Sequence, residues 1–478
     1  MPVCEKNIGT EWRGKMVSCF IEKDKKTPIY KQLYDFYKEE MLNGNIKEGT
    51  KLPSVRSLSQ TLSISKNTVN EAYQQLLAEG FIESRVKKGY WVVPNLEYLP
   101  DTKQEVLQEE NKTIAAKEFT IDFQYGDIDL EHFPMKTWKK CLQDSLQEND
   151  KEILLYGNKL GSISLRKQIA TYLYKSRGIH CTYEDIVISA GTNQLVRTVI
   201  SLLPKDKLAV AMESPGYDGV KNTFLTEGCM IVDIPVTADD GYDVQALKSS
   251  GCNAAYITPS HQFPLGCIMP AAKRLELLKW AEETNAYIIE DDYDSEFRYE
   301  GAPVASLKGL DRQDRVIYAG TFSKSFLPSV RISYMVLPKK LLENLHEGFI
   351  DSQNASPIFQ HALALFMERE HYERHLRKMR KIYKEKHEML LSSLNEYMGG
   401  FVNIIGEKAG LHLIINVENK QHSQLIEAAA HQSIGIYSTA SYYSNKSVDD
   451  CPIILGFGGL TLHKIDEYIK QLAKVWFN

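Results

Sequence analysis

The stretch Thr321-Phe322-Ser323-Lys324-Ser325-Phe326-Leu327-Pro328-Ser329-Val330-Arg331 sets one lysine among small hydroxyl residues, with an arginine seven positions further on. A lysine that forms an imine needs a desolvated amine and a nearby anion clamp. Hydroxyls and an arginine converging on one spot make such a clamp for a phosphate. The pattern fits a lysine bound to pyridoxal 5'-phosphate (PLP), with Lys324 as the Schiff-base residue.

The sequence around this stretch alternates in period. Short apolar runs at 186–188, 208–212, 254–258, 287–290 and 316–319 predict buried strands, and 194–203 and 272–284 predict helices between them. Alternation of this kind over residues 119–478 implies an α/β domain on a mixed, mostly parallel sheet. Beyond Pro338 the pattern turns helical, with a basic run over 374–386. Strand signals return at 411–417 and 453–457, predicting a smaller α+β C-terminal subdomain.

Several segments of this domain carry further candidates. Ile188-Ser189-Ala190-Gly191-Thr192-Asn193-Gln194 runs from a strand into a helix. Helix N-termini bind phosphate through free N–H groups, and Gly191 permits close approach, although the segment also reads as an ordinary strand-to-helix turn. Tyr217, ending Glu213-Ser214-Pro215-Gly216-Tyr217, can lie flat on a heteroaromatic ring or simply pack. In Ile288-Ile289-Glu290-Asp291-Asp292-Tyr293-Asp294-Ser295-Glu296-Phe297 the crowded carboxylates repel one another unless something positive sits among them. A pyridinium N–H is one such partner and a metal is the rival. The segment has no histidine, which argues against a transition metal and leaves an oxygen-only Mg2+ or Ca2+ site open. Tyr293 is placed to donate to a ring phenolate.

Residues 28–94 have a different character. Ile29, Leu33, Phe36, Tyr37 and Met41 mark one helical face, Leu52-Pro53-Ser54 opens a second helix, and Ser65 caps a third that runs to about Glu79. Two short strands at 81–83 and 90–93 flank Arg85-Val86-Lys87-Lys88-Gly89. Three helices and a hairpin make a winged helix-turn-helix, whose third helix enters the major groove of double-stranded DNA. Ser65, Lys66, Asn67, Thr68 and Asn70 would then reach base edges or phosphates, Arg56 a phosphate, and Lys87 and Lys88 the backbone beside the wing. Nine basic against seven acidic residues make only a weak local charge, and helix-turn-helix units also bind proteins.

Residues 1–27 read as a loose leader and 95–118, rich in Glu, Gln, Lys and Asp, as a solvated linker spanning about 25–30 Å if flexible. At 478 residues the chain is long enough for two or three domains. A net charge of −5 confines nucleic-acid binding to a local surface. There is no run of eighteen apolar residues and no apolar core in the first twenty, so neither a membrane span nor a secretion signal is expected. The eight cysteines are dispersed without a Cys-x-x-Cys pair, which fits reduced thiols in a cytoplasm and neither structural zinc nor a disulfide framework.

Leu52-Pro53-Ser54-Val55-Arg56-Ser57-Leu58, Ser65-Lys66-Asn67-Thr68-Val69-Asn70-Glu71-Ala72-Tyr73 and Leu76-x-x-Glu79-Gly80-Phe81-Ile82 closely resemble the GntR family of transcriptional regulators. That resemblance implies operator contacts by Arg56, Ser65, Lys66, Asn67, Thr68, Asn70 and the wing glycine, Gly89. The later segments, in their order, resemble fold-type I aminotransferases. This implies that Lys324 forms the Schiff base, Asp291 pairs with the ring nitrogen, Tyr293 reaches the phenolic oxygen and Tyr217 stacks on the ring, while Gly191, Thr192, Ser323 and Arg331 hold the phosphate. The fusion resembles the MocR subfamily, also through Thr258-Pro259-Ser260-His261-Gln262-Phe263-Pro264-x-Gly266. It implies a homodimer, head-to-tail, that answers a small-molecule effector.

The best-known branch of that subfamily senses 4-aminobutyrate with two carboxylate-gripping arginines, where this chain has Gly219 and Gly459. A glycine cannot replace a bidentate arginine, so PLP itself or another amine is the expected effector, with vitamin B6 or amino-acid metabolism genes as targets. Phe263 also stands where aminotransferases place an asparagine. Two readings follow: a PLP-dependent transcriptional regulator with at most weak aminotransferase activity, or a working aminotransferase with an accessory DNA-binding domain.

Overall fold

The computed structural model describes residues 9–12, 15–18, 27–94, 119–147, 151–204, 208–238, 241–299, 305–347, 355–444 and 446–477. The chain divides into two compact units, Met1–Ala116 and Lys117–Asn478. The expected linker, 95–118, lies outside the described residues, as does most of the expected leader. Within that leader, however, β1 (Gly9–Trp12) and β2 (Lys15–Ser18) pair antiparallel from Gly9↔Ser18 to Trp12↔Lys15, which corrects the expectation of an irregular stretch. Backbone pairing of this kind needs no apolar periodicity, which is why the polar sequence concealed it.

In the first unit, helices α1 (Ile29–Leu42), α2 (Val55–Leu62) and α3 (Lys66–Ala78) precede an antiparallel hairpin of β3 (Ile82–Arg85) and β4 (Gly89–Val92). Both later helices have side-chain caps. Ser54 accepts from Ser57 N–H at 3.1 Å and Ser65 from Thr68 N–H at 3.0 Å, each worth about 0.5–2 kcal/mol. Leu33, Val69 and Leu76 are fully buried, at about 1.5–3 kcal/mol each. Tyr73 donates to the Pro53 carbonyl at 3.1 Å, tying α3 to the entry of α2.

The second unit is built on an eight-stranded sheet. Its strands are β6 (Ile186–Ser189), β7 (Ala209–Ser214), β8 (Met230–Thr237), β9 (Gly241–Tyr242), β10 (Ala254–Ile257), β11 (Tyr287–Asp292), β12 (Val316–Thr321) and β13 (Ser333–Val336), in the order β6-β13-β12-β11-β10-β7-β8-β9. All pairings are parallel except those of β13 with its two neighbours and of β9 with β8. β6, β10, β11 and β13 are buried at every position, which is why the first three read as apolar runs rather than alternations.

A short strand β5 (Ile121–Asp122) pairs with β16 (Ile434–Gly435). A second sheet contains β14 (Val402–Ile405), β15 (His412–Val417), β17 (Tyr437–Ser438) and β18 (Ile453–Gly456), in the order β14-β15-β18-β17. The 28-residue helix His371–Met398 packs against it through Leu390, Leu394 and Met398. Parallel strands emerging together put their C-terminal ends along one edge, where ligands of open α/β sheets bind.

Candidate functional site

Segments leaving five of those strands line a single cavity of about 250 Å³. From β6 come Gly191, Thr192 and Asn193; from β7, Tyr217; from β10, Thr258 and Phe263; from β11, Asp291 and Tyr293; and from β12, Thr321, Ser323, Lys324, Pro328 and Arg331. Tyr125 and Gly126, from the segment after β5, complete the wall. All eight residues expected to hold a cofactor therefore meet in one place.

Lys324 lies on the short helix Phe322–Ser325, just beyond β12. Its Nζ sits 4.3 Å from the centre of the Tyr125 ring and makes no hydrogen bond or ion pair among the described residues. Burial lowers its pKa to about 8, against the opposing pull of Asp294 and Asp127. The neutral form, which a nucleophile needs, is thus far more populated near physiological pH than in an ordinary lysine, though still the minor form. The chain from Lys324 passes through the turn at Pro328–Val330 to Arg331 and returns as β13, with Thr321 opposite Ser333. This tight excursion brings the amine and the guanidinium to the same edge.

Arg331 lies across Gly191. A Cβ there would come within 2.5 Å of Arg331 Nη2, and the φ of +99° suits only glycine. Gly191 precedes the eleven-residue helix Thr192–Leu202, which has no side-chain cap. Its free N–H groups and the guanidinium face one spot, the arrangement an anion requires. The Ser323 hydroxyl accepts from Thr321 Oγ1 at 3.1 Å and so points its own hydrogen elsewhere.

Strand alternation sorts the carboxylates of β11. Asp292, on one face, accepts from Arg177 at 2.7 Å and from Tyr318 at 2.6 Å. Glu290, on the same face, accepts the N–H groups of Leu307 and Lys308 at 2.7 and 2.8 Å. Asp291 faces the cavity, with Tyr256 donating to it. Burial raises the Asp291 carboxyl to about 7, with Asp292 and Asp294 adding to the rise against the Tyr256 hydrogen bond. A carboxylate held at that cost gains from a cationic partner delivered into the cavity. Among the described residues no three His, Cys, Asp or Glu side chains converge to hold a metal ion.

Several site residues were not singled out from the sequence. Tyr125 and Gly126 lie in a segment without a motif. Asp294, which looked like one more carboxylate of the run, pairs with His261. Phe263 packs among Tyr125, Tyr442 and Tyr217, with ring centroids at 4.8, 4.7 and 5.8 Å. The two glycines flagged as departures are structurally occupied. A Cβ on Gly219 would meet the Tyr217 ring at 2.8 Å, and one on Gly459 would meet Asp127 Cβ at 2.8 Å.

The residues expected at DNA lie in the first unit. Arg56, Ser65, Lys66, Asn67, Asn70, Lys87, Lys88 and Gly89 are exposed, and Thr68 is partly buried. The Ser65 and Thr68 hydroxyls bond to each other at 2.8 Å, leaving Lys66, Asn67 and Asn70 as the outward-facing polar side chains of the first turns of α3.

These two sites define a class of protein: a helix-turn-helix unit joined to an aminotransferase-type lysine pocket. Residues 29–92 match the family "Bacterial regulatory proteins, gntR family" and residues 120–448 match "Aminotransferase class I and II". The chain belongs to the MocR subfamily of GntR-family transcriptional regulators. It is 40% identical to the HTH-type transcriptional regulator YdeL of Bacillus subtilis over 96% of this chain and 99% of that one. It is 31% identical to the probable rhizopine catabolism regulatory protein MocR of Rhizobium meliloti, over 95% of each. Against the pyridoxine biosynthesis transcriptional regulator PdxR of Corynebacterium glutamicum it is 29% identical, over 90% and 92%. Among solved structures, kynurenine aminotransferase of Pyrococcus horikoshii superposes with a TM-score of 0.67 at 26% identity, over 75% of this chain and 90% of that one.

Proposed function

We propose that this regulator holds PLP at Lys324 and reports the occupancy of that site, or its exchange with an amine effector, to operator DNA. The observation that carries the reading is the convergence, in one cavity, of a desolvated lysine, an arginine crossing a helix N-terminus and a buried carboxylate. Lys324 Nζ would hold the cofactor's aldehyde, and Gly191, Thr192, Ser323 and Arg331 its phosphate. Asp291 would partner the ring nitrogen, Tyr293 would donate to the phenolic oxygen and Tyr217 would lie against the ring. PLP supplies an electron-withdrawing ring and an exchangeable bond to an amine. The chain's own residues orient it, exclude water and keep the Asp291 charge in place.

The first turns of α3 and the wing would grip the operator, with Arg56, Lys66, Lys87 and Lys88 on phosphates and Asn67 and Asn70 at base edges. Ser65, Thr68 and Gly89 would shape the approach. The filled positions at Gly219 and Gly459 support an effector without a carboxylate, either PLP or an amine. Its target genes would concern vitamin B6 or amino-acid metabolism. An exposed apolar run, with Leu154 80%, Leu155 65% and Tyr156 91% accessible, supports a homodimer. Slow or absent amino transfer is the expectation, because Phe263 offers no hydrogen bond to the cavity.

The test measures the visible absorbance of the PLP-loaded protein and its operator affinity as candidate amines are added. One compound should move both, and Lys324→Ala should abolish the absorbance and the response. An intact response in Lys324→Ala, or amino transfer at roughly 1–1000 per second, refutes the sensor.

A further inference from the structure

We infer that His261 and Asp294 form a positioning pair, which occupies the one hydrogen-bonding position of an imidazole nitrogen and so directs the Tyr293 hydroxyl to donate into the cavity. The inference rests on the reading of that cavity as a PLP site.

His261 Nδ1 has three oxygen neighbours: Tyr293 Oη at 2.9 Å, Asp294 Oδ1 at 3.0 Å and Asp294 Oδ2 at 2.9 Å. A ring nitrogen offers one in-plane position, filled either by a hydrogen or by a lone pair. A lone pair cannot face an ionised carboxylate at this distance. Either Nδ1–H donates to Asp294, or a protonated Asp294 donates to Nδ1. In both states the position is taken, and Tyr293 cannot place its own hydrogen there. Its oxygen can share the Nδ1–H, which strengthens it as a donor. No other acceptor for the Tyr293 hydrogen is found among the described residues, and the hydroxyl belongs to a side chain that lines the cavity.

The imidazole is locked in this pose. It is 2% exposed. A Cβ on Gly410 would overlap its ring, and one on Gly266 would lie 3.2 Å from Nε2. Nε2 is buried with no hydrogen-bond partner among the described residues, and a bare nitrogen leaves no hydrogen unsatisfied there. That agrees with a proton placed on the Nδ1 side, since the bond at one ring nitrogen sets the state of the other. His412 lies alongside, its Nε2 donating to the Pro264 carbonyl at 2.8 Å. Phe263, its ring centroid 6.1 Å from that of Tyr293, presents no side-chain donor of its own.

A hydroxyl donating to the cofactor's phenolic oxygen stabilises negative charge there, and this is read directly as the pH at which the bound chromophore changes absorbance. The charged and titratable groups facing Tyr293 are Asp294 and Asp291 on its own segment, His261, Tyr125 and Glu213; those facing Lys324 are Asp294, Asp127, Tyr125 and His412. Because a change of charge alone also moves a titration, the experiment is a double-mutant cycle on the full-length PLP-loaded protein. Tyr293→Phe should raise the midpoint by about one unit, a roughly tenfold change, from the loss of one hydrogen bond to a charged oxygen. His261→Phe should raise it in the same direction, because Asp294 then captures the Tyr293 hydrogen. The double variant should go no further than Tyr293→Phe. His261→Asn, which keeps an N–H near the Nδ1 position, should restore most of the wild-type midpoint.

An unshifted midpoint in His261→Phe with PLP retained overturns the inference, and so do fully additive shifts, which would mean that His261 acts by its own charge. Should His261→Phe fail to fold, His261→Leu, which likewise lacks any side-chain donor, carries the same cycle with the same expected and overturning results. Wild-type protein that takes up no PLP would instead remove the cofactor reading itself.

Discussion

Replacing Gly191 with alanine tests whether the phosphate cradle works as its geometry implies. The added Cβ would lie 2.5 Å from Arg331 Nη2 and 3.2 Å from Cζ, at a backbone φ of +99°. Alanine at such a φ costs on the order of 1–3 kcal/mol in strain, which the protein without cofactor should show as a lower melting temperature. The larger effect concerns the ligand. The guanidinium must leave its place across the helix N-terminus and would forfeit the charge-assisted bonds proposed for it to a cofactor phosphate, about 1.5–3 kcal/mol. That predicts PLP binding weakened roughly 10- to 150-fold, measured by absorbance titration or equilibrium dialysis. Arg331→Ala should weaken binding to a similar degree, and the double variant little further, because both changes remove one interaction. A Gly191→Ala protein that binds PLP within about twofold of wild type would refute the cradle.

Three further outcomes follow from the same geometry. Because the Lys324 amine, lowered to about 8, is the reactive form only when neutral, PLP uptake should accelerate with pH and level off above about 8; rates still climbing near pH 10 in stopped-flow absorbance would contradict this. Burial raises Asp291 to about 7, so the fold prefers it protonated and loses stability as pH rises from its ordinary range through about 7. Asp291→Asn should therefore raise the melting temperature of the cofactor-free protein above pH 7, with the difference vanishing near pH 4, while weakening PLP binding. Lys66→Ala should lower operator affinity and reduce the salt slope of binding by about one, with PLP absorbance unchanged; equal affinity at all salt concentrations would remove Lys66 from the interface.

The sequence was most legible where burial is two-sided. The runs at 186–188, 254–258 and 316–319 became β6, β10 and β12 because strands covered on both faces, even β6 at the sheet's edge, are apolar throughout. β13 is not legible because Ser333-Tyr334-Met335-Val336 is short and follows the site loop directly, and β8, Met230–Thr237, because six of its eight positions are not fully buried. The cavity's lysine, arginine, aspartate and tyrosines were readable from motifs, since their chemistry is local. The pairing of His261 with Asp294 was not, because 33 residues separate them and only the parallel packing of β10 beside β11 brings them together. Likewise, Gly459 reads in sequence as a missing arginine, whereas in the structure it is the space in which Asp127 packs.

Lys324 and Arg331 share one loop, anchored at both ends by adjacent strands of a buried sheet. Their spacing is therefore a property of that loop alone, insensitive to movement of the smaller sheet or of the segment carrying Tyr125 and Gly126. A lineage can rework Tyr125, Tyr217 or the Gly219 and Gly459 positions, and so change which molecule the pocket answers to, without re-evolving the anchorage. The loop behaves as an inherited socket, and the surrounding segments are the part open to evolutionary retuning.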